Sequence, residues 1–361
     1  MSGQSRKRIS EAVNHREFDR VPMIETFFWP ETLKRWYNEG LPEEVDINEY
    51  FQLDRLEWFF PVFDCTFQIQ PETIEENEKY IIRRNEYGAI VKEFKAKDIS
   101  HPSLMLKPGI LNCKDWEKRG KLLSVDESRF TRHEIVPRTH DCRQKGIFVA
   151  IETIEPLWFV IYNTMGYEHG LYMMAKEPEL IREMIVSYTT FSIGMLGLCM
   201  EKGLVADALF LCSDLCSKNG LLFSPAYFRK LALPSLKQFS EFCKKHNLYF
   251  FWHSDGNVSE LIPLLIEIGV DAIHPLEARA GNDVRDYKRQ FGSSICLIGN
   301  INADIVAGGD KSAIEREVAE KVPFAKKGGG YIYHIDHSVP PTVSLASYQF
   351  LLETVRKYGN Y

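Results

Sequence analysis

The sequence has little of what marks several common classes of protein. Within the 361 residues no apolar run approaches the roughly 18 residues of a membrane-spanning helix, so we expect no membrane segment. The formal net charge is only −6 and no basic patch appears, so we expect no nucleic-acid partner. No Gly-x-Gly-x-x-Gly motif follows an apolar run, which removes the main argument for a dinucleotide-binding sheet.

We also expect no secretory leader. The first residues are charged and lead into an amphipathic segment, without the apolar centre of a signal peptide. The eight cysteines are scattered through apolar or helical contexts. We therefore expect free thiols in a reducing cytoplasm and not a disulfide framework.

From about residue 147 onward, short apolar runs alternate with segments of helical periodicity. The predicted strands are 147–151, 208–212, 249–252, 272–273, 295–298 and 331–335. The predicted helices are 167–202, 224–246, 257–268, 282–291, 311–327 and 344–358. Alternation of this kind predicts a parallel sheet with right-handed crossovers. With a first strand at 21–25 and another near 58–67, the count approaches eight and favours an α/β fold of the (β/α)8 TIM-barrel type.

The N-terminal part is less regular. It is predicted to hold one helix in 5–16, two short helices in 27–80, a β-rich insertion in 85–125 and a surface helix in 126–145. We therefore expect a single barrel domain spanning residues 1–361. Its N-terminal helical and β extension, 1–146, precedes the regular βα units of 147–361.

Polar residues follow most of the predicted strands, at the end where an α/β barrel carries its active site. They are, in chain order, Asp214, His253, Asp255, His274, Glu277, Asn300 and His337. Singly, each has a structural explanation, such as a helix cap or a hydrogen-bonded core histidine. Together, histidines and carboxylates at one face of a barrel are difficult to explain as caps. They predict an active site centred on the turn at His253.

Four of these residues form a candidate metal set: His253, Asp255, Glu277 and His337. Imidazole and carboxylate ligands suit zinc or another divalent ion. His253 and Asp255 are two residues apart, so both face one side if strand geometry persists. A metal-free site stays open as an alternative. In it His337 is an acid–base group, and Asp214 or Asp255 holds the substrate.

Three segments resemble the uroporphyrinogen decarboxylase superfamily. The first runs from Arg8 to Pro22 as Arg-Ile-x-Glu-Ala-x-Asn-His-x-x-x-Asp-Arg-Val-Pro. The second begins at His253 as His-Ser-Asp-Gly-Asn, and the third runs from Gly329 to Pro341. The resemblance covers nearly the whole chain. It implies an α/β barrel. Members are often dimers, and whether this chain forms a homodimer stays open.

The superfamily has two main branches. One is a cofactor-free decarboxylase of carboxylated tetrapyrroles, and the other is a set of zinc-dependent methyltransferases that work with corrinoid proteins. The decarboxylase carries an Arg-Gln-Ala-Gly-Arg motif after its first strand, which grips substrate carboxylates. This chain has Glu-Thr-Phe-Phe-Trp-Pro from Glu25, and Arg35 is the only nearby arginine. A polyanionic substrate needs cationic partners, so the sequence counts against the decarboxylase.

The methyltransferase branch shows His-x-Cys-Gly, a glutamate after the next strand and a cysteine after the last. Here His253 matches the histidine and Glu277 falls near the glutamate, whereas Asp255 and His337 stand where the cysteines would be. Oxygen and nitrogen ligands make a metal ion a harder Lewis acid, which suits a methyl ether or an amine. The resemblance therefore implies a metal-dependent methyltransferase acting between such a small substrate and a corrinoid protein.

Within that hypothesis His337, Asp214 and Asp255 are the predicted catalytic residues. The predicted substrate contacts are Tyr333, Asn300 and Trp29. Two alternatives stay open. One is a decarboxylase of a carboxylated tetrapyrrole. The other is a non-catalytic barrel that docks a corrinoid protein through the aromatic residues of 27–37, although we favour a core position for those residues.

Overall fold

Parallel strands dominate the computed structural model, which describes residues 2–95 and 103–361. Its strands are β1 (Leu56–Phe59), β2 (Glu72–Glu76), β3 (Tyr80–Arg84), β4 (Ile90–Phe94), β5 (Leu104–Lys107), β6 (Phe148–Ile154), β7 (Ala208–Cys212), β8 (Cys216–Ser217), β9 (Gly220–Leu221), β10 (Tyr249–His253), β11 (Ala272–Leu276), β12 (Cys296–Gly299) and β13 (Tyr331–Ile332). The central sheet has the order β1–β6–β7–β10–β11–β12–β13, and every neighbouring pair in it is parallel.

Helices connect these strands and cover the sheet. They are α1 (Ser5–Val13), α2 (Pro30–Asn38), α3 (Ile47–Tyr50), α4 (Cys113–Arg119), α5 (Ile135–Gln144), α6 (Pro156–Trp158), α7 (Tyr167–Lys176), α8 (Pro178–Glu201), α9 (Pro225–Leu231), α10 (Leu233–His246), α11 (Ile262–Ile268), α12 (Val284–Phe291), α13 (Ala303–Ala307), α14 (Lys311–Ala325) and α15 (Leu345–Gly359). A π-helical turn, Phe159–Thr164, follows α6. Short 3-10 helices occupy Ser2–Gln4, Gly120–Leu122, Glu127–Arg129 and Ala278–Ala280.

The segment 21–25 takes the eighth position and closes the barrel. Met23 pairs in parallel with Tyr333, just after β13. On its other side the carbonyl of Met23 accepts from the amide of Asp54, just before β1. The Asp54 carboxylate also accepts from the Met23 amide and pairs with Arg8 and Arg20. The predicted barrel is therefore confirmed, with 21–25 as an extended segment that makes a single β-bridge.

Two predicted helices are each divided in the structure. The helix predicted at 167–202 is α7 followed by α8, and the break falls at Pro178, which has no N–H for the helical ladder. The helix predicted at 224–246 is α9 followed by α10, with Ala232 between them. Ser224 is the N-terminal cap residue of α9 and Pro225 its first residue, and Gly269, with a φ of +94°, ends α11.

The N-terminal extension departs further from expectation. Its β-rich insertion is an antiparallel sheet, β2 to β5, that begins at Glu72 and not near residue 85. Part of the predicted insertion, 96–102, lies outside the described residues. The strand expected near 58–67 is the shorter β1, and of the surface helix expected over 126–145 only α5 is an α-helix. Two short helices, α2 and α3, do lie within 27–80.

Two expectations from the sequence concern the cysteines and the absence of a membrane segment. All eight cysteines are free thiols. Among the described helices, α8 is long and apolar enough to cross a membrane by length and composition, contrary to the expectation from sequence. Half of its most apolar stretch is buried, and α8 packs against α6, α9 and α10. Core helices of soluble proteins meet the same criteria, so this is weak evidence for a membrane span.

Candidate metal centre

Strand alternation brings polar side chains to the C-terminal end of the barrel interior. Residues two apart face the same side of a strand, so the inward faces can be followed along each strand. Their lower part is filled by apolar side chains, among them Phe148, Ala150, Ala208, Phe210, Phe251, Ala272 and Ile332. The next inward positions carry what we call the polar layer: Glu152, Cys212, His253, His274 and His334. Polar groups thus lie above an apolar plug.

A cavity of about 210 Å³ opens above this layer. It is lined by Thr26, Phe27, Trp58, His253, Asp255, His274, Pro275, His334, His337 and Ser338. The lining combines imidazole and carboxylate groups with aromatic walls and contains neither lysine nor arginine. Its size suits a small molecule, because drug-sized ligands usually occupy about 300–1,000 Å³.

Three donor side chains converge at the edge of this cavity. Ligand atoms of Asp214, His253 and Asp255 all lie within 4.8 Å of one another, as metal ligands do. Nε2 of His253 is 3.6 Å from Oδ1 of Asp214 and 3.8 Å from Oδ1 of Asp255. Oδ1 of Asp255 is buried and accepts no hydrogen bond from the described residues. A buried carboxylate oxygen without a donor is costly, and a bound cation would satisfy it.

The turn after β10 is built to hold Asp255 in place. Gly256 has a φ of +84°, and a Cβ there would lie 2.6 Å from the carbonyl oxygen of Cys216, so a side chain is excluded. The Gly256 amide donates to Oε2 of Glu277 at 2.9 Å. Its carbonyl accepts from Nδ2 of Asn282 at 2.8 Å. These bonds fix the backbone on which the donor cluster depends.

The two other predicted metal ligands lie in different places. Nε2 of His337 is 3.5 Å from Oδ2 of Asp255, so His337 adjoins the cluster across the cavity. Glu277 instead accepts from Gly256, and its Oε1 lies 3.7 Å from Arg279. The cluster of donors within 4.8 Å therefore contains Asp214, which the sequence prediction placed among catalytic residues, and does not contain Glu277.

The three histidines of the polar layer contact one another. Nδ1 of His253 is 3.0 Å from Nδ1 of His274, and Nε2 of His274 is 3.4 Å from Nε2 of His334. The hydroxyl of Thr26 lies 3.0 Å from His334 Nε2. Oε2 of Glu25 is 3.5 Å from the same nitrogen. A continuous row of titratable groups thus leads from the donor cluster into the barrel.

Burial and neighbouring charge give these groups different protonation states. Burial lowers the pKa of His253, but Cys212, Asp214 and Asp255 outweigh burial and raise it well above the ordinary value. Burial, together with the neighbouring imidazoles, lowers the pKa of His274 well below its ordinary value. The surroundings therefore favour a proton on His253 beside the carboxylates and disfavour a second proton on His274 behind it.

Burial and neighbouring charge also shift the pKa values of the groups that flank these two histidines. Burial lowers the pKa of His334 to about 4 and raises the pKa of Glu25 to about 8. Burial likewise raises the pKa of Glu152 to about 7. The Asp255 carboxylate raises the pKa of His337. Burial raises the pKa of Asp255, but His337 and His253 outweigh it and lower that pKa.

The predicted substrate contacts do not line the cavity. Asn300 is fully buried, donates to the carbonyls of Leu276 and Asn282, and accepts from the Val284 amide. Tyr333 is also fully buried, with its hydroxyl 3.1 Å from Oε1 of Glu25.

Trp29 precedes α2 as its N-terminal cap residue. Its indole nitrogen is buried without a partner among the described residues. Asn300 and Tyr333 thus make hydrogen bonds within the barrel, and Trp29 lies outside the lining of this cavity.

Sequence reasoning missed several members of the site. Glu25 was counted within the first strand, Glu152 lies inside a strongly apolar run, and His334 lies inside the predicted strand 331–335. The available signal was period-two alternation, since His334 is two residues after buried Ile332. A charged or imidazole side chain at an inward position of a barrel strand therefore indicates a residue of the site, even without a neighbouring motif.

Donor groups that converge at the C-terminal ends of barrel strands are the arrangement found in α/β-barrel enzymes. Residues 157–358 match the family model of uroporphyrinogen decarboxylase (URO-D), which is more than half of the chain. The protein therefore belongs to the URO-D family, as the resemblance in its sequence predicted. None of the curated proteins compared with the chain matches it.

Solved structures support the fold. A methyltransferase from Methanosarcina mazei is similar over 98% of this chain and 98% of its own, with a TM-score of 0.66 and 15% identity. A D-tagatose 3-epimerase-like protein is similar over 68% of this chain and 94% of its own, with a TM-score of 0.34 and 9% identity. At such identities the first likeness shows a shared fold.

Proposed function

We propose that this protein is a metal-dependent methyltransferase that moves a methyl group between a small methyl ether or methylamine and a corrinoid carried on a partner protein. The observation that carries the proposal is the cluster of Asp214, His253 and Asp255 at the active end of the barrel. The methyltransferase from Methanosarcina mazei, which has the same fold along nearly its whole length, supports the choice within the family.

The donor set fits a divalent metal ion. It offers one imidazole nitrogen and two carboxylates, and the buried Oδ1 of Asp255 lacks any other partner among the described residues. Asp214, His253 and Asp255 would hold the ion, with His337 adjacent. A divalent ion in such a site supplies Lewis acidity toward a substrate oxygen or nitrogen. Without a thiolate in the cluster, the site suits these harder atoms better than sulfur.

The chain's own residues supply the remaining functions. His337 lines the cavity, and its neighbour Asp255 favours a proton on the imidazole, which can be donated to the heteroatom that loses the methyl group. Phe27, Trp58 and Pro275 form apolar walls that limit water around the substrate. The cavity thus combines an orienting apolar wall with a proton donor on one side.

The decarboxylase alternative finds little support in the geometry. The lining of the cavity of about 210 Å³ offers no lysine or arginine to pair with the carboxylates of a tetrapyrrole, which favours the methyltransferase. Arg35, which lies on α2, donates to Glu39 and to the carbonyls of Pro341 and Thr342. Arg279 lies within 4.0 Å of carboxylates of Glu277, Asp304 and Asp336. Both arginines near the site are therefore already engaged.

The docking-barrel alternative also loses its main argument. Trp36 is fully buried and packs against Phe28, Phe51 and Tyr348. Of this aromatic segment, Phe27 is 51% exposed and lines the cavity. The segment therefore belongs mainly to the core and partly to the site, as we favoured from the sequence.

The test is methyl transfer to free cobalamin in its reduced Co(I) form, followed by its absorbance. The purified, zinc-loaded protein is supplied in turn with methyl ethers and methylamines. We expect at least one donor to be consumed by the wild type and not by His253→Ala. His133→Ala, which removes an exposed histidine outside the site, is the matched control and should behave as wild type. Equal turnover in His253→Ala, or micromolar binding of uroporphyrin, would contradict the proposal.

A further inference from the structure

His274 and His334 lie behind the donor cluster and belong neither to it nor to the metal set predicted from the sequence. The geometry points to a positioning function for both: they accept the proton on Nδ1 of His253, so that Nε2 is the ring nitrogen presented to Asp214, Asp255 and any metal ion they hold. This inference rests on the proposed function, because Nε2 of His253 is the nitrogen that a metal ion would use.

The main chain fixes the proton of His334. The amide of Thr26 donates to Nε2 of His334 at 3.1 Å, so that nitrogen offers a lone pair. On the opposite side of the ring, Nδ1 contacts the carbonyl oxygen of Ile335, which can only accept. Neither main-chain group can exchange its role, so His334 is neutral with its proton on Nδ1. The ring is 1% exposed, which keeps water from competing.

The proton of His274 follows from that of His334. Nε2 of His274 lies 3.4 Å from Nε2 of His334, which offers a lone pair, and 3.5 Å from the hydroxyl of Thr26. Because it faces a nitrogen lone pair, Nε2 of His274 is the nitrogen that carries the proton. Nδ1 of the neutral ring is then an acceptor. Within the described chain no carboxylate contacts this buried ring, so nothing offsets the cost of a second proton.

The row ends at His253. Its Nδ1 lies 3.0 Å from the acceptor Nδ1 of His274, so His253 is the donor in this contact. Nε2 is then directed at Asp214 and Asp255, at distances of 3.6 and 3.8 Å that exceed an ordinary hydrogen bond. A partner that accepts the second ring N–H of a metal-binding histidine fixes both its tautomer and its orientation. Here that partner is a neutral imidazole, fixed in turn by the main chain.

The first experiment measures Zn²⁺ affinity by competition with a chromophoric chelator. Loss of the acceptor in His274→Leu should weaken binding by about 10–100-fold, the usual effect of losing such a partner. His274→Asn keeps an acceptor oxygen close to Cβ and should retain most of the affinity. A merely structural effect of removing the ring would weaken both variants alike, and that result would overturn the inference.

The second experiment measures the protonation of the histidine rings in the wild type, so it does not depend on whether the His274 variants fold. Long-range ¹⁵N–¹H spectra of the histidine rings in zinc-loaded wild type should show a proton on Nδ1 of His253, assigned by its loss in His253→Ala. A proton on Nε2, or zinc on Nδ1, would overturn the inference.

The two proposals fail in different ways. If the wild type binds no zinc, the proposed function fails. If the wild type binds zinc and His253→Ala does not, but His274→Leu binds as tightly as the wild type, only the positioning inference fails.

Discussion

The buried carboxyl of Glu25 makes the stability of the barrel depend on pH in a way that one substitution can reveal. Oε1 accepts from the hydroxyls of Tyr333 and Tyr348, at 3.1 and 3.3 Å, and from the amide of Ile335 at 3.4 Å. Oε2 has no hydrogen-bond partner among the described residues and lies 3.5 Å from Nε2 of His334. In Glu25→Gln the amide oxygen keeps the first three contacts, and the NH₂ group donates toward His334 as a protonated carboxyl would.

The size of the expected change in the free energy of unfolding follows from the linkage between proton binding and folding. Burial raises the pKa of Glu25 from 4.5 to about 8, so the folded chain holds this proton more tightly than the unfolded chain. The contribution of Glu25 to stability is therefore present below the lower value and is lost as the pH rises toward the higher one. Each pH unit in that interval costs about 1.4 kcal/mol, so the loss from about pH 5 to about pH 8 is on the order of 4 kcal/mol. Glutamine has no proton to lose.

Urea unfolding at about pH 5 and about pH 8, followed by tryptophan fluorescence, tests this expectation. The free energy of unfolding of Glu25→Gln minus that of the wild type should be near zero at the lower pH and clearly positive at the higher pH. Titration of all other groups cancels in this difference. Glu44→Gln, at an exposed position, should show no such change. A difference that is the same at both pH values would refute the assignment of a buried, protonated Glu25.

Three further predictions concern the metal ion and the hydrogen-bonded framework. Zn²⁺ affinity should rise about tenfold between about pH 6 and about pH 7, because metal binding displaces the proton that the neighbouring groups hold on His253. Calorimetry measures this affinity, and the absence of a rise would count against His253 as a ligand. Asp54→Ala should lower the free energy of unfolding by about 3–5 kcal/mol, because it leaves buried Arg8 with one fewer partner; urea midpoints measure this. Asn300→Ala should cost about 2–4 kcal/mol of stability while leaving KM nearly unchanged, and a large rise in KM would restore Asn300 as a substrate contact.

The barrel could be predicted from the sequence because its signals are local. The apolar run 249–252 and the helical periodicity of 311–327 each depend on residues close in sequence, and both elements are found where expected, as β10 and α14. The divided helix at 167–202 was missed because a run of helical periodicity continues across Pro178, although the proline begins a new helix.

The donor cluster was predictable in part for the same reason. His253 and Asp255 follow a strand directly, and strand ends meet at one face of a barrel. The choice between Asp214 and Glu277 was not predictable, because it depends on which carboxylate the Gly256 amide and Arg279 engage. Those contacts join residues of different βα units, and no spacing in the sequence specifies them.

The contacts between the histidines were not predicted. His274 was counted among the polar residues of the active-site face, with a hydrogen-bonded core group as its structural explanation, and His334 is surrounded in sequence by Tyr333 and Ile335. Its contacts to Thr26 and Glu25 join the first and last strand positions of the barrel, more than 300 residues apart in sequence. Barrel closure alone brings them together.

The proposal that Asp214, His253 and Asp255 bind a metal ion is tested most directly by the metal content of the protein. The protein is purified without a histidine tag and dialysed against zinc-containing buffer. We expect about one zinc ion per chain in the wild type and in His133→Ala, since the cluster offers one set of ligands. Asp214→Ala and His253→Ala should retain far less under the same dialysis. A folded wild type that retains no zinc, or variants that retain as much as the wild type, would contradict the account.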